Sequence, residues 1–317
     1  MEKVKTDHSP PLIETHTFSP YSYHYSVFVS LTTQATAQIA FHLTNYVEHT
    51  YAGSQNASGD EQLELDIHCD EAVFTAVKES GVYSIVASEE TPEETHVGNG
   101  PFSLACDPLD GSSIIDANFS VGSVYGIWPG NTLIGRTGRE QVAAAVALYG
   151  PRTLLCIALA AADRVLEVTL VRNRSEWEVS RSNIQIEEEG KIFAPGNLRA
   201  TADHSRYAAL VNYWITNAYQ LRYSGGMVPD VYHIFAKSRG VFTNISSPKC
   251  HAKLRLLYEV APLGFIVECA GGSAIEEGSE QRSVLDIVID NTDHRMGVCF
   301  GSKKEVETYK KFMFDDK

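Results

Sequence analysis

Two short apolar runs in the first third of the chain each end in a pair of acids, and this arrangement limits the possible folds more than any other feature. Ser84-Ile85-Val86-Ala87-Ser88 leads straight into Glu89-Glu90, and Phe102-Ser103-Leu104-Ala105-Cys106 leads into Asp107-Pro108-Leu109-Asp110-Gly111-Ser112-Ser113. Such runs read as buried strands, and the carboxyl ends of strands are where open α/β sheets bind ligands. Asp107 and Asp110 flank a proline turn, so both can point at one hard cation, while Gly111, Ser112 and Ser113 can offer backbone N–H groups to a phosphate. Asp-Pro and Asp-Gly also punctuate ordinary turns. Asp60 and Asp66 add two acids ahead of a helix-periodic segment (Ile67, Val73, Phe74, Val77). Asp66 alone could be a helix start favoured by the dipole, but like charges gathered at three element ends repel one another unless divalent cations neutralise them.

Composition bounds the class. A chain of 317 residues, 44% hydrophobic and 21% charged, is an ordinary globular protein of about two domains. Its net charge of −14 argues against nucleic acid or an anionic membrane as partner. The six cysteines are scattered without a CxxC, so free thiols are expected. Eleven histidines show neither HxH nor HExxH spacing, and no GxSxG occurs, which disfavours zinc hydrolases and serine hydrolases. Residues 1–20 contain neither an apolar h-region nor a run of arginines, and no apolar run reaches membrane-spanning length, so the cytoplasm is the expected compartment.

Periodicity predicts a helix over 27–51 and strands over 121–128, 153–159 and 164–171. In the second half it predicts helices over 205–222, 228–237 and 254–270, strands over 240–244 and 284–289, and a C-terminal helix capped by Ser302. The polar stretch 180–190 reads as the boundary between an N-terminal metal and phosphatase domain, 1–185, and a C-terminal sugar-phosphate-binding domain, 186–317. Taken alone these elements give a mixed α/β fold.

In order and spacing, Gly59-Asp60, Leu65-Asp66, Ser88-Glu89-Glu90 and the 107–113 motif resemble the sugar bisphosphatases that include fructose-1,6-bisphosphatase. The resemblance continues through Arg222-Tyr223-Ser224-Gly225-Gly226-Met227-Val228, Lys253-Leu254-Arg255-Leu256-Leu257-Tyr258-Glu259 and Glu268-Cys269-Ala270-Gly271-Gly272. It implies a layered α-β-α-β-α sandwich, a homodimer or homotetramer, and hydrolysis of a sugar bisphosphate with two or three Mg²⁺ or Mn²⁺ ions. By resemblance the metal ligands are Asp60, Glu89, Glu90, Asp107, the Leu109 carbonyl, Asp110 and Glu268, with Asp66 and Glu90 activating the water. Gly111, Ser112 and Ser113 would hold the 1-phosphate. Asn197, Tyr223 and Lys253 would hold the distal phosphate and sugar, with Arg255 near the metal end and Arg222 reaching a neighbouring subunit.

Within the family, Ala194-Pro195-Gly196-Asn197-Leu198-Arg199-Ala200-Thr201 and Gly240-Val241-Phe242-Thr243-Asn244 resemble the sedoheptulose-1,7-bisphosphatase branch. Asn244 and Ala200 stand where the fructose enzyme has tyrosines, which implies a wider sugar site. Hydrolysis of the 1-phosphate of sedoheptulose 1,7-bisphosphate is the expected activity. Fructose-1,6-bisphosphatase or dual specificity is the alternative, and a non-catalytic sugar-phosphate-binding protein is a distant one.

Overall fold

Strands built from small and β-branched residues and buried on both faces need helices above and below them. The computed structural model, which describes residues 22–46, 51–55, 61–162 and 164–315, supplies them. The described residues begin with α1 (Ser22–Asn45), β1 (Tyr51–Gln55), β2 (Glu61–Leu63) and α2 (Glu64–Ser80). An eight-stranded sheet follows, made of β3 (Tyr83–Ser88), β4 (Thr95–His96), β5 (Phe102–Asp110), β6 (Val121–Pro129), β7 (Ala143–Tyr149), β8 (Thr153–Leu159), β9 (Arg164–Val171) and β10 (Glu176–Ile184). Its order is β10-β9-β8-β7-β6-β5-β3-β4, an antiparallel meander from β5 to β10 with β3 parallel to β5. Beyond it lie β11 (Ile192–Gly196), α3 (Ser205–Thr216), β12 (Gln220–Leu221), α4 (Met227–Lys237), β13 (Val241–Asn244) and β14 (Leu254–Arg255). The chain ends with α5 (Ala261–Cys269), β15 (Ser273–Glu276), β16 (Arg295–Met296), β17 (Val298–Gly301) and α6 (Lys303–Met313). The second sheet has the order β12-β11-β13-β17-β15.

Side-chain alternation shows how these elements layer. On β7, Ala143, Ala145 and Ala147 pack with α1 and α2, whereas Ala144 and Val146 join the cluster of α4 and α5. On the far side of the second sheet, Phe193, Val241, Ile275 and Cys299 pack against Tyr207 and Trp214 of α3 and Val306 and Tyr309 of α6. The result is the expected α-β-α-β-α sandwich, with α4 and α5 between the two sheets.

Several elements differ from the periodicity. The first helix stops at Asn45, and Tyr51–Gln55 is a strand. The helix expected over 205–222 ends at Thr216, because Ala218 takes a positive φ of 57° and turns the chain into β12. The segment 254–270 divides into β14, a π-turn (Leu256–Val260) and α5. Residues 284–289 form no strand; Val284–Asp286 is a 3₁₀ turn, and Val288 makes only an isolated bridge to Thr137. β10 continues through Ser180 to Ile184, so the crossing between sheets falls after it. Ser302 does sit at the start of α6, but its Oγ accepts the Gly240 N–H at 3.2 Å and does not cap the helix.

Helix α4 leans closely on β6 at Gly122, where a Cβ would come within 2.2 Å of Val228 Cγ1 and 2.5 Å of the Ala147 carbonyl oxygen. Gly122→Ala should cost about 1–3 kcal/mol by overpacking, read as a lower urea midpoint at unchanged slope. An unchanged midpoint would show that α4 can shift freely off the sheet.

Candidate active site

The acid pairs meet because β3 and β5 are parallel neighbours, with Ser88 in register with Cys106. Their carboxyl ends coincide, and the Glu89 N–H extends the ladder to the Cys106 carbonyl at 3.0 Å. In a regular strand residues three apart face opposite sides. Here the pairing passes from Asp107 opposite Val124 to Asp110 opposite Gly122, so three steps on β5 match two on β6. The extra residue is a β-bulge, a permitted place for a proline within a strand. Core parity records the switch: Phe102, Leu104 and Cys106 face α1 and α2, and so does Leu109. Asp107 and Asp110 are thereby both turned to the opposite side, toward α4 and α5.

There they meet Glu259, buried in the π-turn ahead of α5 and 6% exposed. One carboxylate oxygen from each of Asp107, Asp110 and Glu259 lies within 4.8 Å of the others, the one such group of metal-ligating side chains among the described residues. Burial, then Glu89, Asp110 and Glu259, push Asp107 well above the usual carboxylate range; burial, then Glu89 and Asp110, raise Glu259. Asp110 is pushed up to about 6 by burial, held back by the Val228 N–H that it accepts at 2.7 Å from the start of α4. Glu89 is ion-paired to Arg255, which also contacts Asp293 at 3.2 Å and is 4% exposed. Hard, anionic oxygen donors crowded in this way fit a divalent cation such as Mg²⁺ or Mn²⁺.

The cluster heads a cleft of two lobes that share Asp110, Gly111, Ser112 and Leu254. The carboxylate lobe, about 220 Å³, also carries Glu89, Lys253, Arg255, Glu259 and Arg295. The other lobe, about 160 Å³, is lined by Ser113, Gly196, Tyr223, Asp230 and Asn244 among others. Gly111 takes a positive φ of 90°, which lets the chain turn into the 3₁₀ segment Ser112–Ala117 between the lobes. Asp230 accepts the Ser224 and Gly225 N–H groups at 2.6 and 3.2 Å and so shapes the glycine wall.

Some expected site residues lie elsewhere. Glu268 is in the last turn of α5, roughly 13 Å along the helix axis from Glu259 at 1.5 Å per residue. Its oxygens are taken by Arg139 at 2.5 Å and Ser283 at 2.6 Å, so it is an ion-paired surface acid. Glu259, in the same apolar stretch, occupies the position sought; its burial among Leu256, Leu257, Tyr258 and Val260 was the available signal. Asp66 accepts the Leu63 N–H at 2.9 Å as the cap of α2, so that carboxylate is engaged in the helix start. Asn197 spends its side-chain amide on the Ile245 and Cys250 carbonyls at 2.7 and 2.9 Å. Lys253 lines the carboxylate lobe and not the other one. Ala200 is fully buried in the outer cluster with Phe193 and Tyr207, so it does not widen the cleft. Arg222 donates to the Leu221 carbonyl and lines neither lobe. Glu90 follows Glu89 at the strand end, half-buried. Asp60 lies outside the described residues.

Glu259→Gln should weaken Mn²⁺ binding at least about tenfold, by the scale of a lost ligand's surroundings, while Glu268→Gln leaves it unchanged; isothermal titration would show the reverse if Glu268 were the ligand. A carboxylate with a raised folded-state pKa costs nothing below its unfolded value near 4, where both states are protonated, and costs fully above its folded value. For Asp110, pushed up to about 6, that is about 3 kcal/mol. The stabilisation added by saturating Mg²⁺ should therefore grow as pH rises from about 4 through about 6, checked by urea midpoints with and without metal.

The sequence and fold are matched over nearly the whole described chain. Residues 32–181 match the model of the fructose-1,6-bisphosphatase N-terminal domain and residues 186–314 that of its C-terminal domain. The chloroplastic sedoheptulose-1,7-bisphosphatase of Spinacia oleracea is 49% identical over 262 residues, 82% of this chain and 66% of that relative. The chain thus spans just under two thirds of that protein's length. A class 1 fructose-1,6-bisphosphatase of Pelobacter propionicus is 37% identical over 83% of this chain and 80% of its own. A Toxoplasma gondii crystal structure assigned as a sedoheptulose-1,7-bisphosphatase superposes with a TM-score of 0.84 at 35% identity, over 92% of this chain and 94% of that one. The holo form of Leishmania major fructose-1,6-bisphosphatase also gives 0.84, at 28% identity and the same coverage. On this combined match of sequence, fold and motif order, the chain belongs to the fructose-1,6-bisphosphatase family.

Proposed function

We propose that the chain hydrolyses the 1-phosphate of sedoheptulose 1,7-bisphosphate, giving sedoheptulose 7-phosphate and phosphate. The observation that carries this reading is the convergence of Asp107, Asp110 and Glu259 within 4.8 Å at the head of a cleft lined by Gly111 and Ser112. The 49% identity to the spinach enzyme supports the seven-carbon sugar.

Asp107, Asp110, Glu259 and Glu89 would hold Mg²⁺ or Mn²⁺, with the Leu109 carbonyl and Asp60 completing the proposed set. When bound, such ions supply charge neutralisation and a nucleophilic water near neutral pH, which uncatalysed phosphate-ester hydrolysis lacks. Gly111, Ser112 and Ser113 bind the 1-phosphate through N–H groups and hydroxyls, and Lys253, Arg255 and Arg295 offset its charge from the lobe wall. Glu90 accepts the proton of the attacking water as an O–P bond forms and the bond from phosphorus to the sugar oxygen breaks, the sugar oxygen taking a proton from solvent; Asp66, which also accepts the Leu63 N–H at the start of α2, is the second acid proposed to activate that water. Tyr223 and Asn244 face the sugar. A homodimer or homotetramer in which Arg222 reaches a second copy's sugar lobe is part of the same proposal.

Phosphate release with Mg²⁺ should favour sedoheptulose 1,7-bisphosphate over fructose 1,6-bisphosphate by about tenfold in kcat/KM, roughly 1.4 kcal/mol of transition-state discrimination. Equal rates would support the dual enzyme, to which the 37% identity with bacterial fructose bisphosphatases also points. A fructose preference would overturn the branch, and tight sugar-phosphate binding without release would leave a sensor.

A further inference from the structure

The bulge in β5 lies opposite Ser123, and the chemistry of that contact is one-directional. A bulge removes a residue from regular pairing, and a buried carbonyl left without a donor is costly. Ser123 Oγ lies 2.7 Å from the Pro108 carbonyl oxygen and 2.7 Å from Tyr149 Oη. A carbonyl can only accept, so the single Ser123 proton goes to Pro108, and Tyr149 must be the donor to Ser123 Oγ. Ser123 is fully buried and Tyr149 is 5% exposed. Burial holds the Tyr149 phenol well above its ordinary range, so it stays protonated and able to donate. Ser123 shares its face of β6 with Val121 and Tyr125, which face α1 and α2, so the contact grips the bulge from the side of the sheet opposite the carboxylates. Neither Ser123 nor Tyr149 lines the catalytic cleft.

We propose that Ser123 is a positioning residue for metal binding: its hydroxyl, oriented by Tyr149, pins the bulge that turns Asp107 and Asp110 to one face. This rests on the reading of those two acids as metal ligands. Ser123 acts through the backbone at Pro108 and touches no ligand of the cleft.

The test is Mn²⁺ binding to the metal-free protein, read from the electron paramagnetic resonance of free Mn²⁺, with urea midpoints measured in chelator alongside. Ser123→Ala should weaken Mn²⁺ about tenfold or more, the range seen when outer-shell partners are removed. Ser123→Thr keeps the hydroxyl and should stay within about threefold of the parent. Tyr149→Phe removes the orienting proton and should lie between them. A merely structural hydroxyl would lower the urea midpoint of Ser123→Ala and leave its Mn²⁺ affinity unchanged, which would overturn the inference, as would a Thr variant as weak as Ala. Should Ser123→Ala fail to fold, parent-like affinity in Tyr149→Phe would overturn it. A parent protein that binds no Mn²⁺ would instead sink the metal reading itself, and the two failures are told apart by that control.

Discussion

Three carboxylates buried within 4.8 Å of one another cannot all ionise in a low-dielectric interior without a cation, and much of the fold is arranged around that conflict. An ion pair reaches the cluster from Arg255, itself nearly buried, to Glu89, and the same guanidinium also pairs with Asp293, while Lys253 and Arg295 line the lobe wall. One guanidinium cannot compensate Glu89, Asp107, Asp110 and Glu259 together. The remaining imbalance is expressed as raised proton affinity, strongest at Asp107 and Glu259. The site therefore stores an electrostatic cost that a hard divalent cation relieves, and metal affinity is the counterpart of that cost.

The backbone makes the conflict possible. Two parallel strands supply the acid pairs at a common end, and a single extra residue in β5 converts an alternating strand into one that presents Asp107 and Asp110 together. Helix α4 closes the arrangement by donating the Val228 N–H to Asp110, and it can approach only because Gly122 has no side chain. Glu259 arrives from a π-turn, an irregularity that often marks functional positions. Two local departures from regular structure, the bulge and the π-turn, thus converge on one point with the close approach of α4 at Gly122, while the surrounding layers are conventional.

That distinction explains what could be read from residues alone. β8, an apolar run, β9, rich in valine, and the acid-tipped strands are legible because period and end signals agree. β7 escaped notice because Ala143, Ala144, Ala145 and Ala147 carry little strand preference; only burial on both faces makes them a strand. The motif at 107–113 pointed to metal and phosphate together, but the bulge that makes it work depends on pairing with β6 and is invisible locally. The choice of Glu268 over Glu259 failed for a related reason. Both are acids in one apolar stretch, and only the three-dimensional course of the chain sends one into the cleft and the other to Arg139. Ala200 misled because a small residue widens a site only if its neighbours leave the space empty, and here Phe193 and Tyr207 fill it.

The sugar lobe raises a separate point about selectivity. Its lining includes Asp110 and Asp230 but no lysine or arginine, whereas Lys253, Arg255 and Arg295 all stand in the carboxylate lobe. A distal phosphate in the sugar lobe would then be held by neutral groups such as Tyr223 and Asn244, with charge reaching it only from beyond the lobe. Extra width rejects nothing, since a shorter sugar still fits, and a missing methylene in a pocket is worth only about 1–3 kcal/mol. Strong discrimination needs polar groups that the wrong ligand leaves unpaired. On the proposed reading Asn244 would be such a group, because its buried Oδ1 has no partner among the described residues. Selectivity between six- and seven-carbon sugars would then turn on whether that oxygen, which can only accept, meets a sugar hydroxyl when the distal phosphate moves by one carbon.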